Sequence, residues 1–550
     1  MSLGKLYVYQ NGKWRLIANS SSAYTLNSQP PDENNNFQIT LEDLHGINAD
    51  KIELVDNTNT EGTAIGVKNE ITKSGSIAIG TENKTTGTNS STLGYKNNAI
   101  GNNSFAVGRN NYAFNDGAVT IGFSNSISSE DSIALGGMNK ASGDRNSLLG
   151  FSNTVTQGDN TFTFGNRNLT KEDETISIGF SNKHYANNSI SIGLENTLFG
   201  IRSIAIGQGN SIGLGSGDSI AIGNYTKTNA KHAVAIGYYS EANGEVSRSL
   251  GHRTITEGDY SVSFGKSNES KGDYALTHGL SNEARELHSL ALGEKNISGF
   301  EHAVTLGDNN FNLAKHSVVI GQGLKNNINY AHVIGHYNEL DDASPSTEPT
   351  KDNNVWAVGN GMSDTERNTV ARIQHDGQMF IDGRYRSKGA DYAEYFEWLD
   401  GNKNNEDRVG LFVTLVGDKI KLADSEDDII GIVSAAPSVV GNDPDKWHNK
   451  FITDAFGRVQ FDEEGKHIIN PMYNHEEKYI SREQRKEWDM IGLLGQMYLV
   501  DDGTCKVGDY ATASKKRVAT KGNKDNGYKV MKRISKNIDG KSGIVKVLFK

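Results

Sequence analysis

The feature that most constrains this chain is a glycine that returns at positions 66, 80, 94, 108, 122, 136, 150, 165, 179, 193, 207, 223, 237, 251, 265, 279, 293, 307, 321, 335 and, after a break, 359. Seventeen of the twenty gaps are fourteen residues. The clearest copy is Ser76-Ile77-Ala78-Ile79-Gly80-Thr81-Glu82-Asn83, and similar copies surround Gly108, Gly136, Gly207, Gly223 and Gly237. A period held over such a length marks a solenoid, which grows by stacking coils. The residue before the glycine is apolar in twenty of twenty-one copies, His278 being the exception, and the residue three before it is usually Ile, Val, Leu or Phe. A small residue sits between them, so each copy predicts a period-two strand with one buried face. Three residues after the glycine, asparagine recurs in sixteen of twenty-one copies, from Asn69, Asn83 and Asn97 onward. Stacked asparagines can ladder their amides from coil to coil. A second glycine, as at Gly87, Gly101, Gly143, Gly244, Gly258 and Gly272, falls seven residues later and marks the opposite turn. Each coil is therefore two short strands and two turns. It is too thin to enclose a core, and must bury its apolar strip against neighbouring coils and other chains. At a strand spacing of about 4.8 Å, some twenty coils predict a rod of about 95 Å.

Composition agrees with a stacked architecture. The 550 residues include 61 glycines and 7 prolines, with 35% hydrophobic residues, a lean core for a thick globule. The formal charge of −11 argues against nucleic-acid binding and against anionic membrane surfaces. The one cysteine, Cys505, excludes an intrachain disulfide framework, and nothing near it has metal or redox spacing. The first ten residues do not read as a secretory signal, and no stretch is long and apolar enough to span a bilayer as a helix.

Four regions follow. Residues 1–56 hold a predicted hairpin around Asn11-Gly12 and a polar linker ending at Pro30-Pro31, read as an attachment cap; short strands are expected within 38–55. Residues 57–340 carry the repeats. Residues 341–386 hold a proline-bearing insertion, one last coil at Val355-Trp356-Ala357-Val358-Gly359 and a neck hairpin turned at Asp376-Gly377. From 387 to 550 tryptophans, longer apolar runs and charge clusters replace the glycine-asparagine pattern. Strand-like runs at 409–415, 429–433 and 543–549 predict a mostly β domain, with Arg482 to Met490 as its one helical stretch.

These residues resemble two families. The repeats, as in Ser219-Ile220-Ala221-Ile222-Gly223, resemble the head repeats of trimeric autotransporter adhesins. That resemblance implies an all-β fold: a trimeric left-handed parallel β-roll of 14-residue coils that binds host surfaces. The family's secretion signal, coiled-coil stalk and membrane barrel are not among these residues. The segment Ser387-Lys388-Gly389-Ala390-Asp391-Tyr392-Ala393-Glu394-Tyr395-Phe396-Glu397-Trp398 is similar to the peptidase G2 intramolecular-chaperone domain of phage appendages and tailspikes. So are Ile430-Gly431-Ile432-Val433-Ser434, Pro437-Ser438-Val439-Val440-Gly441-Asn442, Asp454-Ala455-Phe456-Gly457-Arg458, Ile491-Gly492-Leu493-Leu494-Gly495 and Val507-Gly508-Asp509-Tyr510. This second resemblance implies a domain that registers three chains and then severs itself near its own start.

Cutting a peptide bond needs a base to activate water and an acid to protonate the leaving amine. Asp391, Glu394 and Glu397 set three carboxylates beside the Ser-Lys-Gly-Ala segment, and trimer neighbours can bring them together. The expected cut lies within 387–391, at Ala390-Asp391, with Glu394 and either Asp391 or Glu397 as the acid–base pair; Ser387 as nucleophile is the alternative. No cofactor and no metal is expected. His288, His302 and His316 predict a stacked, solvated column, and Tyr95, Phe123, Phe151, Phe180 and Tyr238 predict packing at the turn, with a receptor-facing stripe as the other reading.

The whole reads as a homotrimeric phage or prophage fibre or appendage, made in the host cytoplasm and carried on the virion. Its expected partners are baseplate, tail or neck proteins through the N-terminus and a host receptor or glycan, with no nucleic acid and no membrane insertion. The rivals are a bacterial trimeric surface adhesin, and a fibre whose C-terminal domain stays attached as a receptor-binding tip.

Overall fold

The computed structural model describes the backbone of residues 6–10, 13–18 and 53–55, and residues 62–550 other than 341–343, 445–449, 464–465 and 537–541. Within these the chain is β throughout, apart from one 3-10 turn at Arg482–Gln484. It divides into two compact units, residues 1–349 with 354–372, and residues 350–353 with 373–550.

In the first unit each repeat forms a five-residue strand ending one position past the glycine, as in Ile77–Thr81, and a two-residue strand after the asparagine, as in Lys84–Thr85. Both stack in parallel and in register on the next coil, Gly66 opposite Gly80 and Ile71 opposite Thr85. Irregular spacings are absorbed in the turns: Gly150 still pairs with Gly165, Gly207 with Gly223, and Gly335 with Gly359 across the insertion. At the other end the strand Glu53–Val55 runs antiparallel to Thr63–Val67 and covers the first coil's edge. The N-terminal strands Leu6–Gln10 and Lys13–Ala18 pair antiparallel as a hairpin. Its Asn11-Gly12 turn and most of 38–55 lie outside the described residues.

The alternation holds, but the small residue is the one that points inward. Ala78 is 0% exposed while Ile77 beside it is 42% exposed. The interior is a column of small side chains (Ala78, Thr92, Ala106, Thr120, Ala134) facing the short-strand column (Thr85, Ala99, Ala113, Ile127, Ala141). Two sheets this close leave no room for two columns of isoleucine, so the large residues stand on the outer face. Ile77, Leu93, Phe105, Ile133, Phe162, Phe164, Ile176, Ile192, Phe264 and Ile320 are all exposed there.

The glycines are required by the stacking. A Cβ on Gly223, at φ +128°, would sit 1.9 Å from the Gly237 carbonyl oxygen, a contact no side chain tolerates. The expected asparagine ladder is present and buried. The Asn97 side-chain amide donates to Asn83 Oδ1 at 3.1 Å, to the Leu93 carbonyl at 3.1 Å and to the Gly108 carbonyl at 2.8 Å. Its own Oδ1 accepts from the Asn111 backbone and side chain at 3.1 and 3.0 Å. Each buried amide is thereby satisfied on every side.

The second unit contains a ten-stranded sheet, its strands numbered here in chain order: β1 Asp391–Glu397, β2 Phe412–Val416, β3 Lys419–Leu422, β4 Gly431–Val433, β5 Val439–Gly441, β6 Trp488–Asp501, β7 Tyr510–Thr512, β8 Thr520–Gly522, β9 Tyr528–Ser535 and β10 Gly543–Phe549. The order is β3-β2-β4-β6-β10-β9-β7-β8, with β1 between β5 and β6. The expected helix at 482–490 is reduced to the 3-10 turn, because Arg485 is already extended (φ −111°, ψ 114°) and Trp488 to Met490 are drawn into β6 against β1. One core gathers Phe412, Ile432, Met497, Leu499, Val545, Val547 and Phe549, and a second gathers Trp398, Val413, Ile420, Val433 and Ile491. Cys505 belongs to the first, where burial and the nearby Asp501 and Asp502 push its thiol up to about 12. A thiol so rarely ionised is no nucleophile near neutrality.

Candidate active site

The carboxylates singled out from the sequence all lie on β1, which forms because Asp391-Tyr392-Ala393-Glu394-Tyr395 alternates buried and solvent-facing residues. In a strand, side chains three apart point to opposite faces. Asp391 points inward with Ala393 and Tyr395, and is 5% exposed. Glu394 points outward, where it accepts a 2.6 Å hydrogen bond from the Tyr392 hydroxyl. Glu397 lies six residues along from Asp391, roughly 20 Å at strand spacing, and forms a 2.7 Å ion pair with Lys419. Within one chain, then, Asp391 is brought together with neither Glu394 nor Glu397.

Asp391 instead meets groups that spacing does not reveal. Its carboxyl packs on the bare face of Gly492 beside Met497: a Cβ on Gly492 would lie 2.9 Å from Asp391 Oδ2 and 2.4 Å from Met497 Sδ. Oδ2 is buried with no hydrogen-bond partner. Burial pushes the carboxyl above the usual aspartate range, against the weaker opposing pull of the Ser434 hydroxyl and of the backbone amide of Asp391 itself. Burial that weakens the acidity of this carboxyl suits it to holding and donating a proton, and the amide beside it is the nitrogen of the Ala390-Asp391 bond.

The segment before it is held from both sides. The Gln496 backbone N–H donates to the Ala390 carbonyl at 3.0 Å, and Gly495 leaves room for this approach, since a Cβ there would lie 2.4 Å from the same oxygen. On the other flank, Ser438 donates its backbone N–H at 2.7 Å and its hydroxyl at 2.8 Å to the Asp391 carbonyl. Ser387 is exposed, and its hydroxyl accepts a 3.2 Å hydrogen bond from the Gly389 amide. Ser434, Ser438, Gly492, Gly495 and Gln496 were missed as site residues. Four of them stand inside motifs quoted for the family resemblance, yet only the pairing of β1 with β5 and β6, and of β4 with β6, brings them to Asp391.

The described residues hold no group of three or more His, Cys, Asp or Glu able to bind a metal ion, and no helix long and apolar enough to cross a membrane. On the roll, His288, His302 and His316 do stack, at 4.8 and 4.7 Å, continuing a run of rings from Tyr260 and Tyr274 to Tyr330. Phe123 leans 5.8 Å from Phe151 over the bare Gly137, and Tyr238 stacks on His252 at 5.1 Å. His302 on His316 and Tyr238 on His252 lie face to face, whereas Phe123 on Phe151 and His288 on His302 are tilted by 48° and 45°.

Residues 346–549 match the family Peptidase G2, IMC autoproteolytic cleavage domain. The peptidase G2-like region thus begins ahead of β1 and ends with β10. Segments at 72–97, 86–111, 99–124, 128–147 and 216–240 match the YadA head domain repeat, so both resemblances drawn from the sequence hold. Among curated proteins, the pre-neck appendage protein of Bacillus phage B103 is 36% identical over 171 residues, which is 29% of this chain and 19% of that protein. The pre-neck appendage protein of Bacillus phage phi29 is 35% identical over 128 residues, 22% of this chain and 15% of that protein. The chain spans about a fifth or less of the length of these relatives. Among solved structures, the bacteriophage phi29 gene product 12 C-terminal fragment is 31% identical, covering 29% of this chain and 100% of that one, with a TM-score of 0.26.

Proposed function

We propose that this chain is a homotrimeric phage appendage protein, of the pre-neck kind that its relatives' names describe, whose C-terminal domain directs trimer assembly and then cuts itself away at Ala390-Asp391. The observation that carries the cut is the Asp391 carboxyl, buried, with one oxygen unpartnered, beside the amide nitrogen of that bond. In the reaction a water oxygen bonds to the Ala390 carbonyl carbon, while the Gln496 backbone N–H holds the developing oxyanion. The bond to the Asp391 nitrogen breaks as the Asp391 carboxyl delivers its proton there. A base takes the proton of the water, leaving Ala390 with a carboxylate and Asp391 with a free amine.

The base is Glu394 of a neighbouring chain, since in its own chain Glu394 stands on the far face of β1. The outer face of the roll supports the trimer: its large apolar side chains are exposed along the whole stack and need covering. The covered roll is the part that meets the host surface, and the N-terminal region is the attachment to the virion.

Intact mass of purified wild type, Asp391→Ala and Glu394→Ala tests the cut. Wild type is expected as two fragments split at Ala390-Asp391 and both variants as full-length chains; one full-length species in all three sinks autoproteolysis. Co-expressing the two variants tests the base. In mixed trimers the Glu394→Ala chain is expected to be cut and the Asp391→Ala chain to stay whole, whereas no cutting of either excludes a base supplied between chains.

A further inference from the structure

We infer that Ser438 is a positioning residue for this cut, holding the peptide on both sides of Asp391 in the one arrangement that aims its carboxyl. The inference rests on the proposed self-cleavage. Every polar group of Ser438 is engaged with the segment 385–391. Its N–H and hydroxyl both donate to the Asp391 carbonyl, at 2.7 and 2.8 Å, and its own carbonyl accepts from the Tyr385 hydroxyl at 3.4 Å. Upstream of the bond, Gly389 lies against the same backbone: a Cβ on Gly389 would come within 2.4 Å of both the Pro437 carbonyl carbon and the Ser438 nitrogen.

The parallel pairing of β1 with β5 requires only the Ser438 N–H. The hydroxyl is a second donor to an oxygen already served, so strand pairing does not account for it. With the Ala390 carbonyl held by Gln496 and the Asp391 carbonyl held twice by Ser438, both peptide planes around the Asp391 Cα are fixed. The carboxyl keeps only its side-chain rotations, and burial against Gly492 and Met497 restricts those. Misplacing a reacting group by about 1 Å can cost on the order of a hundredfold in rate.

The test is a time course of intact mass during refolding of full-length chain, for wild type, Ser438→Ala, Ser438→Thr and Ser438→Cys, each with its thermal midpoint and oligomeric state. Ser438→Ala is expected to fold but cut at least about tenfold slower, Ser438→Cys to fall between as a poorer donor, and Ser438→Thr, which keeps the hydroxyl, to return within about threefold of wild type. Folded Ser438→Ala cutting at the wild-type rate overturns the inference while self-cleavage stands. A failure of Ser438→Ala to fold leaves the decision to Ser438→Cys: slowed when folded supports the role, unchanged overturns it. Wild type that folds and never cuts removes the inference together with the reading beneath it.

Discussion

His184 occupies an interior position where the adjoining coils hold Thr170 and Leu198. It is fully buried, Nε2 lies 2.6 Å from the Ser191 hydroxyl, and Nδ1 has no partner. Burial, the one cause at work, pushes the imidazole down to about 4. Because the folded value lies below the unfolded one near 6.5, the unfolded chain binds the extra proton first. Stability is therefore untouched above about 6.5 and lost as pH falls from there toward 4, by about 3 kcal/mol per chain in the limit. Thermal midpoints between pH 4 and 7 are expected to fall for wild type and to flatten for His184→Leu, which copies Leu198. Asp391 behaves in the opposite sense. Its carboxyl is raised by burial, and with Asp391 as the proposed acid the single-turnover cutting rate is expected to drop as pH rises through that raised value. Asp391→Asn should abolish cutting while leaving the fold, measured by thermal midpoint and intact mass. The sequence marks Asp391 as a candidate; the groups that surround it in the fold are not legible there. Taken as part of a flexible segment, it stands beside Glu394 and Glu397, whereas as the first residue of β1 it is turned from Glu394 by the alternation of the strand and separated from Glu397 by its length.

At the level of the strand and the turn, regularity made the roll readable. The glycine spacing, the alternation and the asparagine each map onto one observed element, and the strands at 412–416, 431–433 and 543–549 fall within or close to the apolar runs that predicted them. The facing of the long strand was not readable, because alternation says that one side is buried without saying which. Coil thickness decides it, and thickness depends on the pairing of two strand columns. The asparagine column gives a direct measure of the stacking energy. Asn125→Ala leaves the Ile121 and Gly136 carbonyls and the Asn139 amide without their present partner, and should cost about 2–4 kcal/mol by chemical unfolding. Leu324 shows that an apolar residue can sit in this column near the roll's end, where its amide still donates to Asn310 Oδ1 at 2.9 Å. Gly223→Ala meets both the strained φ and the Gly237 oxygen, and is expected to be far more damaging than Asn125→Ala.

Across the molecule, the exposed outer apolar columns would tie folding to association in the proposed trimer. Ile192 and Ile206 belong to the same outward column one coil apart, and Ile192→Glu with Ile206→Glu is expected to convert a trimer into monomers in sedimentation or native mass measurements, with the interior ladder intact. The cut is linked to long-range order as well. The Ala390 carbonyl is approached by Gly495, and Gly495 pairs in turn with Phe549 on β10. The bond proposed to open at Asp391 is therefore framed by residues that leave the ribosome long after it. Chains lacking residues 543–549 are expected to remain uncut on gels of total protein. Translation order thereby becomes a clock: the blade is among the first pieces of its domain to be made, and it cannot close until the strand that steadies it has been delivered.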